Sequence, residues 1–319
     1  MTSVVTFAGI EEAAERIAPY VHRTPLLTSL AMDELLGCAM SLKAEHLQKV
    51  GAFKARGAHN AVFQLEAAKA SSGVAAHSSG NHAAAIALAA RNRGIPAYVV
   101  IPTNAPRAKK QAVAGYGAEI VWSENTQESR ESTLAAVLDR TGAEPVHPYE
   151  DPRVIHGQGT VGLEIAQQTA GEPPDAVICP VGGGGLLSGL SIAIKNALPG
   201  CEVIAAEPAG ADDAYRSFHE GTWVPQLCPQ TIADGLLTSL GHLNFEIARE
   251  HVDDVVRVGE EAIVEAMRLL FSRMKQVVEP SGAVPLAAVL ADRKRFAGRR
   301  IVLVASGGNV DLDALPWVG

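Results

Sequence analysis

The chain predicts an α/β fold with two open, mostly parallel sheets. Strand-like and helix-like segments alternate from Gly73 to His147, and a second alternating series runs from Ala176 to Val304. That alternation is the pattern of parallel sheets covered by helices. With 319 residues and 47% hydrophobic content, the chain is long enough for a large core in two lobes. Only 5% of residues are aromatic, so Ala, Val, Leu and Ile must build that core.

In the first series Val74 to His77 reads as a strand and Asn81 to Arg93 as a helix. Ala97 to Ile101 (strand), Ala105 to Ala114 (helix), Glu119 to Trp122 (strand), Glu128 to Arg140 (helix) and the short segment Pro145 to His147 follow. In the second series the strands start at Ala176 and continue with Val203 to Ala206, Val255 to Val258 and Ile301 to Val304. No repeat, low-complexity tract or long linker interrupts them. A formal net charge of −8 argues against nucleic acid or an anionic membrane as partner. No apolar run approaches the ~18 residues of a membrane span. Glu11, Glu12 and Glu15 interrupt the N-terminus, and no basic region precedes an apolar stretch there, so no secretory signal is expected. Cys38, Cys179, Cys201 and Cys228 lack metal-type spacing and read as reduced thiols of a cytoplasmic protein.

Lys54 stands in Gly51-Ala52-Phe53-Lys54-Ala55-Arg56-Gly57, where an extended segment gives way to a helix. An amine near the positive end of a helix dipole is held less readily as ammonium, and its lone pair can attack a carbonyl. The alternative is a solvated lysine in a first helical turn. Val177 to Val181 leads into Gly182-Gly183-Gly184-Gly185 and then the helical pattern Leu186 to Ile194. Bare amides between a strand and a helix start can close on a phosphate. A flexible turn is the other reading, but four consecutive glycines cost backbone entropy on folding. Neither the full dinucleotide fingerprint nor a triphosphate loop is present, and a single phosphate monoester fits better. His77-Ser78-Ser79-Gly80-Asn81-His82 opens a helix after a strand and suits either a carboxylate or a plain N-cap. Ala305-Ser306-Gly307-Gly308-Asn309 lies at the carboxyl end of a strand, where open parallel sheets bind ligands.

These four motifs, in this order, resemble the serine racemase and threonine dehydratase family of pyridoxal-phosphate enzymes of fold type II. His22-Arg23-Thr24-Pro25-Leu26, Gly157-Gln158-Gly159-Thr160, Ala206-Glu207-Pro208 and Thr231-Ile232-Ala233-Asp234-Gly235 extend the likeness to residues 8 to 313. Within the family the chain is most similar to the 3-hydroxyaspartate dehydratases, through Gly-Ala-Phe-Lys, His147-Pro148-Tyr149 and Val310 to Trp317. The resemblance implies a tryptophan synthase β-like architecture: two open, twisted α/β domains with the cofactor in the cleft between them. Residues 1–72 and 150–319 would form a large domain whose sheet includes Ser41 to Glu45, and residues 73–149 a small inserted one.

The same resemblance implies that Lys54 holds pyridoxal 5′-phosphate and then acts as base on the substrate Cα. Phe53 packs beside the ring, and Gly182, Gly183, Gly184, Gly185 and Leu186 bind the phosphate. Asn81 contacts the ring hydroxyl and Ser306 the pyridine nitrogen. A neutral hydroxyl does not force that nitrogen to stay protonated, as a buried carboxylate would. The weaker electron sink lets loss of a β-hydroxyl compete with transamination. The implied reaction is α,β-elimination of water from a β-hydroxy-α-amino acid of the 3-hydroxyaspartate, threonine, serine or phenylserine type, giving an oxo acid and ammonia. A serine- or aspartate-type racemase with side elimination, and a non-catalytic binding protein on the same fold, are the alternatives.

Ser78, Ser79, Asn81, His82, Arg130 and Tyr149 are the implied substrate contacts. Ser79 would also be the acid/base opposite the lysine, and Arg130 the partner of a distal carboxylate. From sequence alone Arg130 equally reads as an exposed helix arginine beside glutamates. Glu207, the Ala211 carbonyl and Asp213 would hold Mg²⁺, Mn²⁺ or Ca²⁺, since oxygen ligands suit a hard cation. Spacing alone favours a helix start at Asp212 and Asp213. Relatives imply a homodimer. Ala52 and Tyr149 depart from the family's usual residues and bear on substrate choice. The chain ends at Gly319, shortly after the Ser-Gly-Gly-Asn motif, so no C-terminal regulatory domain or end-product control is expected.

Overall fold

The computed structural model describes residues 4–78, 80–104 and 113–317. Its strands form two sheets. The six-stranded sheet runs in the order β1-β2-β10-β7-β8-β9. Here β1 is Leu26–Thr28, β2 Ala39–Lys43, β7 Ala176–Pro180, β8 Glu202–Pro208, β9 Asp254–Val258 and β10 Arg300–Val304. Only β1 and β2 pair antiparallel; the other neighbours are parallel. The four-stranded sheet, entirely parallel, runs β5-β4-β3-β6, from β3 (Val74–His77), β4 (Ala97–Pro102), β5 (Glu119–Ser123) and β6 (Glu144–Pro145). Strands β7 and β10 are apolar and buried almost throughout, as a parallel sheet covered on both faces requires.

The element pattern follows the sequence, with differences that have local causes. The strand expected at Ser41 to Glu45 is Ala39–Lys43, because Glu45 enters a 3-10 turn, Glu45–Leu47, and buries its carboxylate against Arg56. The last segment of the small sheet, expected at Pro145 to His147, is Glu144–Pro145, with the Val146 amide still donating to the Ala75 carbonyl of β3 (2.9 Å). The strand expected at Val203 to Ala206 spans Glu202–Pro208, with Glu207 near its end. The helix expected over Ala105 to Ala114 falls mostly outside the described residues. No helix among the described residues is long and apolar enough to cross a membrane.

Helix Lys54–Gln64 carries the key lysine at its first position and is buried from Ala55 to Val62. It packs against helices Asn81–Arg93 and Pro152–Gln168. A Cβ on Gly157 would sit 2.6 Å from the Gly57 Cα, so glycine permits this close crossing. Arg56 is fully buried and bonds to Glu45 (2.8 Å), Glu164 (2.8 Å) and Thr160 (3.1 Å). Glu164 also meets Lys43 at 2.6 Å. Burial opposes the Arg56 charge, but Glu45 and Glu164 outweigh it and hold the guanidinium ionised. This knot of two cations and two carboxylates ties the lysine helix to β2 and to helix Pro152–Gln168.

Candidate active site

Stretches far apart in sequence meet at the carboxyl ends of the strands. Before Lys54 the chain makes a tight turn, with Val50 (φ 58°) and Gly51 (φ 70°) left-handed. A β-branched residue there is strained and persists only where its surroundings over-determine it. Asn309 Nδ2 donates to the Val50 carbonyl (2.7 Å), and the Gly308 amide to the Gly51 carbonyl (2.9 Å). The Phe53 amide donates to the Ser306 carbonyl (3.0 Å). The lysine and serine motifs are thus fastened together before the helix begins.

Lys54 Nζ donates to the Pro148 carbonyl (2.7 Å) and lies 5.1 Å from the Phe53 ring centroid. Enclosure in the cleft pushes its pKa down to about 8, although part of the side chain stays accessible. Loss of water around the amine is thus a cause of its depression that the helix start alone did not announce.

The tetraglycine loop follows β7 and opens helix Gly185–Ala197, with Gly184 at φ 89°. Among the described residues no protein acceptor takes a hydrogen bond from the amides of Gly182 to Leu186. Five free amides at a helix N-terminus form an anion cradle. Neighbours also forbid side chains there. A Cβ on Gly183 would sit 2.4 Å from Tyr149 Cδ1, one on Gly182 2.9 Å from the Leu236 Cα, and one on Gly185 2.9 Å from the Tyr149 Cα. The Tyr149 ring therefore packs on the loop and stands edge-on to His147 (4.6 Å). Burial first, then the charges of Glu150 and Asp213, push its phenol up.

In the polar turn, Ser78 Oγ accepts from the Gly80 amide (3.2 Å). Asn81 Nδ2 donates to both Glu279 carboxylate oxygens (2.9 and 3.2 Å), and Asn81 Oδ1 accepts from Asn309 Nδ2 (2.8 Å). Glu279 also accepts from the Asn309 amide (3.1 Å). A Cβ on Gly307 would lie 2.4 Å from Glu279 Oε1, so this buried carboxylate abuts the Ser306 turn. Sequence reasoning missed Glu279 and Asn309 as partners of Asn81; the signal at hand was Glu279-Pro280, a proline step into helix Pro280–Ala291. His82 sits beneath the turn, 3% exposed, with Nε2 donating to the Val146 carbonyl (3.0 Å). Burial, then the Lys54 charge, pushes it down to about 3, and its Nδ1 has no partner among the described residues. Ser79 lies outside the described residues. Arg130 is half-buried in the first turn of helix Gln127–Thr141, its Nε donating to the Thr126 carbonyl (3.3 Å). Its charge adds to burial in pushing His77, at the end of β3, down.

Glu207 and Asp213 are both fully buried. Burial and then the Asp213 charge push Glu207 well up; burial pushes Asp213 up to about 6. The Glu207 carboxylate accepts from the amides of Ala214 (3.2 Å) and Tyr215 (2.9 Å), at the start of helix Asp213–Glu220. Asp213 Oδ2 accepts from the Leu240 amide (2.7 Å), and Oδ1 has no partner among the described residues. Asp212 turns instead to Arg216 (2.8 Å) and Arg257 (2.7 Å). Ala211 is buried beside them. No group of three or more His, Cys, Asp or Glu side chains among the described residues is placed to hold a metal.

A low-pKa lysine and an anion cradle at the carboxyl ends of parallel strands define an enzyme site for a small aldehyde phosphate. The family model for pyridoxal-phosphate dependent enzymes matches residues 17–307. A beta-hydroxyaspartate dehydratase of Paracoccus denitrificans (strain Pd 1222) is 48% identical over 314 residues, 98% of this chain and 99% of its own length. A serine racemase of Arabidopsis thaliana is 49% identical over 312 residues, 96% of this chain and 94% of its own. The crystal structure of a T.th. threonine deaminase, 48% identical, matches with a TM-score of 0.92 over 97% of this chain and 100% of that one. The chain belongs to the family of pyridoxal-phosphate dependent enzymes, and its two parallel-sheet domains are those of fold type II.

Proposed function

We propose that this enzyme eliminates water from a β-hydroxy-α-amino acid, with 3-hydroxyaspartate preferred, and releases an oxo acid and ammonia. The observation that carries the reading is the pairing of a partly neutral, largely enclosed lysine with five amides that have no protein acceptor among the described residues. When bound, pyridoxal phosphate supplies an aldehyde for the substrate amine and a ring that accepts negative charge from Cα. Gly182 to Leu186 hold its phosphate, Phe53 flanks the ring, and Asn81 and Ser306 meet its polar edge. Lys54 takes the Cα proton as general base, since its depressed pKa keeps a large neutral fraction near pH 8. Ser78, Ser79 and Asn81 bind the substrate carboxylate, and His82 Nδ1, which has no partner among the described residues, offers a neutral acceptor. Arg130, whose charge acts on His77 at the end of β3, pairs with a distal carboxylate, which serine and threonine lack. Tyr149 walls the pocket from its seat on the tetraglycine loop.

Residues 1–72 with 150–319 serve as the large domain and residues 73–149, which contain the four-stranded sheet, as the small one. Glu207, the Ala211 carbonyl and Asp213 take a divalent cation; the raised pKa values of the two carboxylates and the partnerless Asp213 Oδ1 support this. Homodimer formation and a cytoplasmic location rest on the resemblance and on the four free cysteines. The Arabidopsis relative favours a second reading, racemisation through Ser79 as the opposite base. Initial rates of oxo-acid formation across the stereoisomers of 3-hydroxyaspartate, threonine and serine, with chiral analysis of residual substrate, decide between them. Inversion outrunning oxo-acid release would make the racemase reading the better one.

A further inference from the structure

We infer that Asn244 is a positioning residue that sets the phosphate cradle, an assignment that rests on reading Gly182 to Leu186 as the cofactor's phosphate site. Asn244 lies in helix His242–His251 and is fully buried. Its Nδ2 donates to the Gly183 carbonyl (2.7 Å) and the Tyr149 carbonyl (2.9 Å), while its Oδ1 accepts from Ser188 Oγ (2.8 Å). The Gly183 carbonyl takes a second hydrogen bond from the Gly241 amide (3.1 Å). In a trans peptide the C=O and the following N–H point in opposite directions. Holding the Gly183 carbonyl toward Asn244 therefore turns the Gly184 N–H away from it, to the open side of the loop. A Cβ on Gly184 would stand 2.6 Å from the Asn244 Cβ, so the loop rests directly on this side chain.

The second donor ties the loop to the Tyr149 backbone, on which the Gly183 and Gly185 positions pack. The Lys54 amine is held one residue earlier, by the Pro148 carbonyl, which Asn244 does not bond. The amide thus sets the cradle and leaves the lysine to its own partner. Of the polar side chains of this size, an amide has two N–H donors for two carbonyls and an acceptor for the Ser188 hydroxyl. A carboxylate would place its charge against two carbonyl dipoles, and a hydroxyl has a single donor.

The test titrates the apoprotein with pyridoxal phosphate and, separately, with pyridoxal, which lacks the phosphate, following absorbance and tryptophan fluorescence. Loss of a buried amide's bonds predicts that Asn244→Ala raises Kd for pyridoxal phosphate about ten- to hundredfold, with pyridoxal changed by less than about threefold. Ser188→Ala, which removes only the bond that orients the amide, should weaken pyridoxal phosphate selectively by about threefold. An Asn244→Ala protein that is folded by circular dichroism and binds pyridoxal phosphate as the parent does overturns the inference, as does equal weakening of both ligands. If that variant does not fold, Ser188→Ala decides, and an unchanged or unselective affinity overturns it. A parent with no preference for pyridoxal phosphate over pyridoxal refutes the cradle itself. A parent that has the preference but releases no oxo acid from hydroxy amino acids refutes only the proposed reaction.

Discussion

Replacing Asp213 by asparagine isolates the electrostatics of the buried carboxylate pair. Burial raises the Asp213 carboxyl from its ordinary 3.8 to about 6. Between those values the folded protein keeps a proton that the unfolded chain has released, so cation-free stability falls as pH rises through that window and stays reduced above it. A rise of this size corresponds to about 3 kcal/mol at neutral pH. Asp213→Asn removes the charge, keeps an oxygen for the Leu240 amide, and places an NH₂ group where Oδ1 now has no partner. In chelator at pH 7 the variant should melt about 3–6 °C above the parent, and the difference should shrink toward zero as pH falls to about 4. Millimolar Mg²⁺, Mn²⁺ or Ca²⁺ should then stabilise the parent by mass action and leave the variant unmoved. Thermal melts in chelator from pH 4 to 8, repeated with each cation, measure all three effects. A variant that melts below the parent in chelator, a difference that does not grow with pH, or equal cation stabilisation of both proteins would refute the reasoning.

Loading of apoprotein with pyridoxal phosphate should quicken about tenfold from pH 7 to pH 9 and level off, because the Lys54 amine titrates near 8. A rate still climbing past pH 10 would mean an unperturbed lysine, and Lys54→Ala should retain no borohydride-fixable cofactor. Arg130→Ala should cut kcat/KM for 3-hydroxyaspartate about 10- to 100-fold while serine stays within about twofold. Equal losses on both substrates would show that Arg130 supports the fold and not a distal carboxylate. Arg56→Leu leaves the buried Glu45 and the partly buried Glu164 with only Lys43 nearby as a cation, and should destabilise the protein by about 3–5 kcal/mol in urea unfolding. A loss under about 1 kcal/mol would mean that the buried knot contributes little beyond its packing.

By itself the sequence determined the α/β alternation, the lysine at a helix start, the glycine cradle and the serine turn, and with them the cofactor class. Each is written in a short window, as apolar periodicity or as a residue type that a particular backbone demands. Helix Asn81–Arg93 appears at its expected bounds for that reason. Only the tertiary structure decided what surrounds these pieces. Asn81 meets Glu279 across 198 positions and Asn309 meets Val50 across 259, and no local pattern around Glu279, Asn309 or Asn244 says which distant residue each will meet. The depressed Lys54 amine and the raised Glu207 and Asp213 carboxyls likewise appear only when packing removes water from them. Secondary-structure preference and backbone sterics act between near neighbours along the chain. Desolvation and long-range hydrogen bonding depend on which surfaces the completed fold brings together.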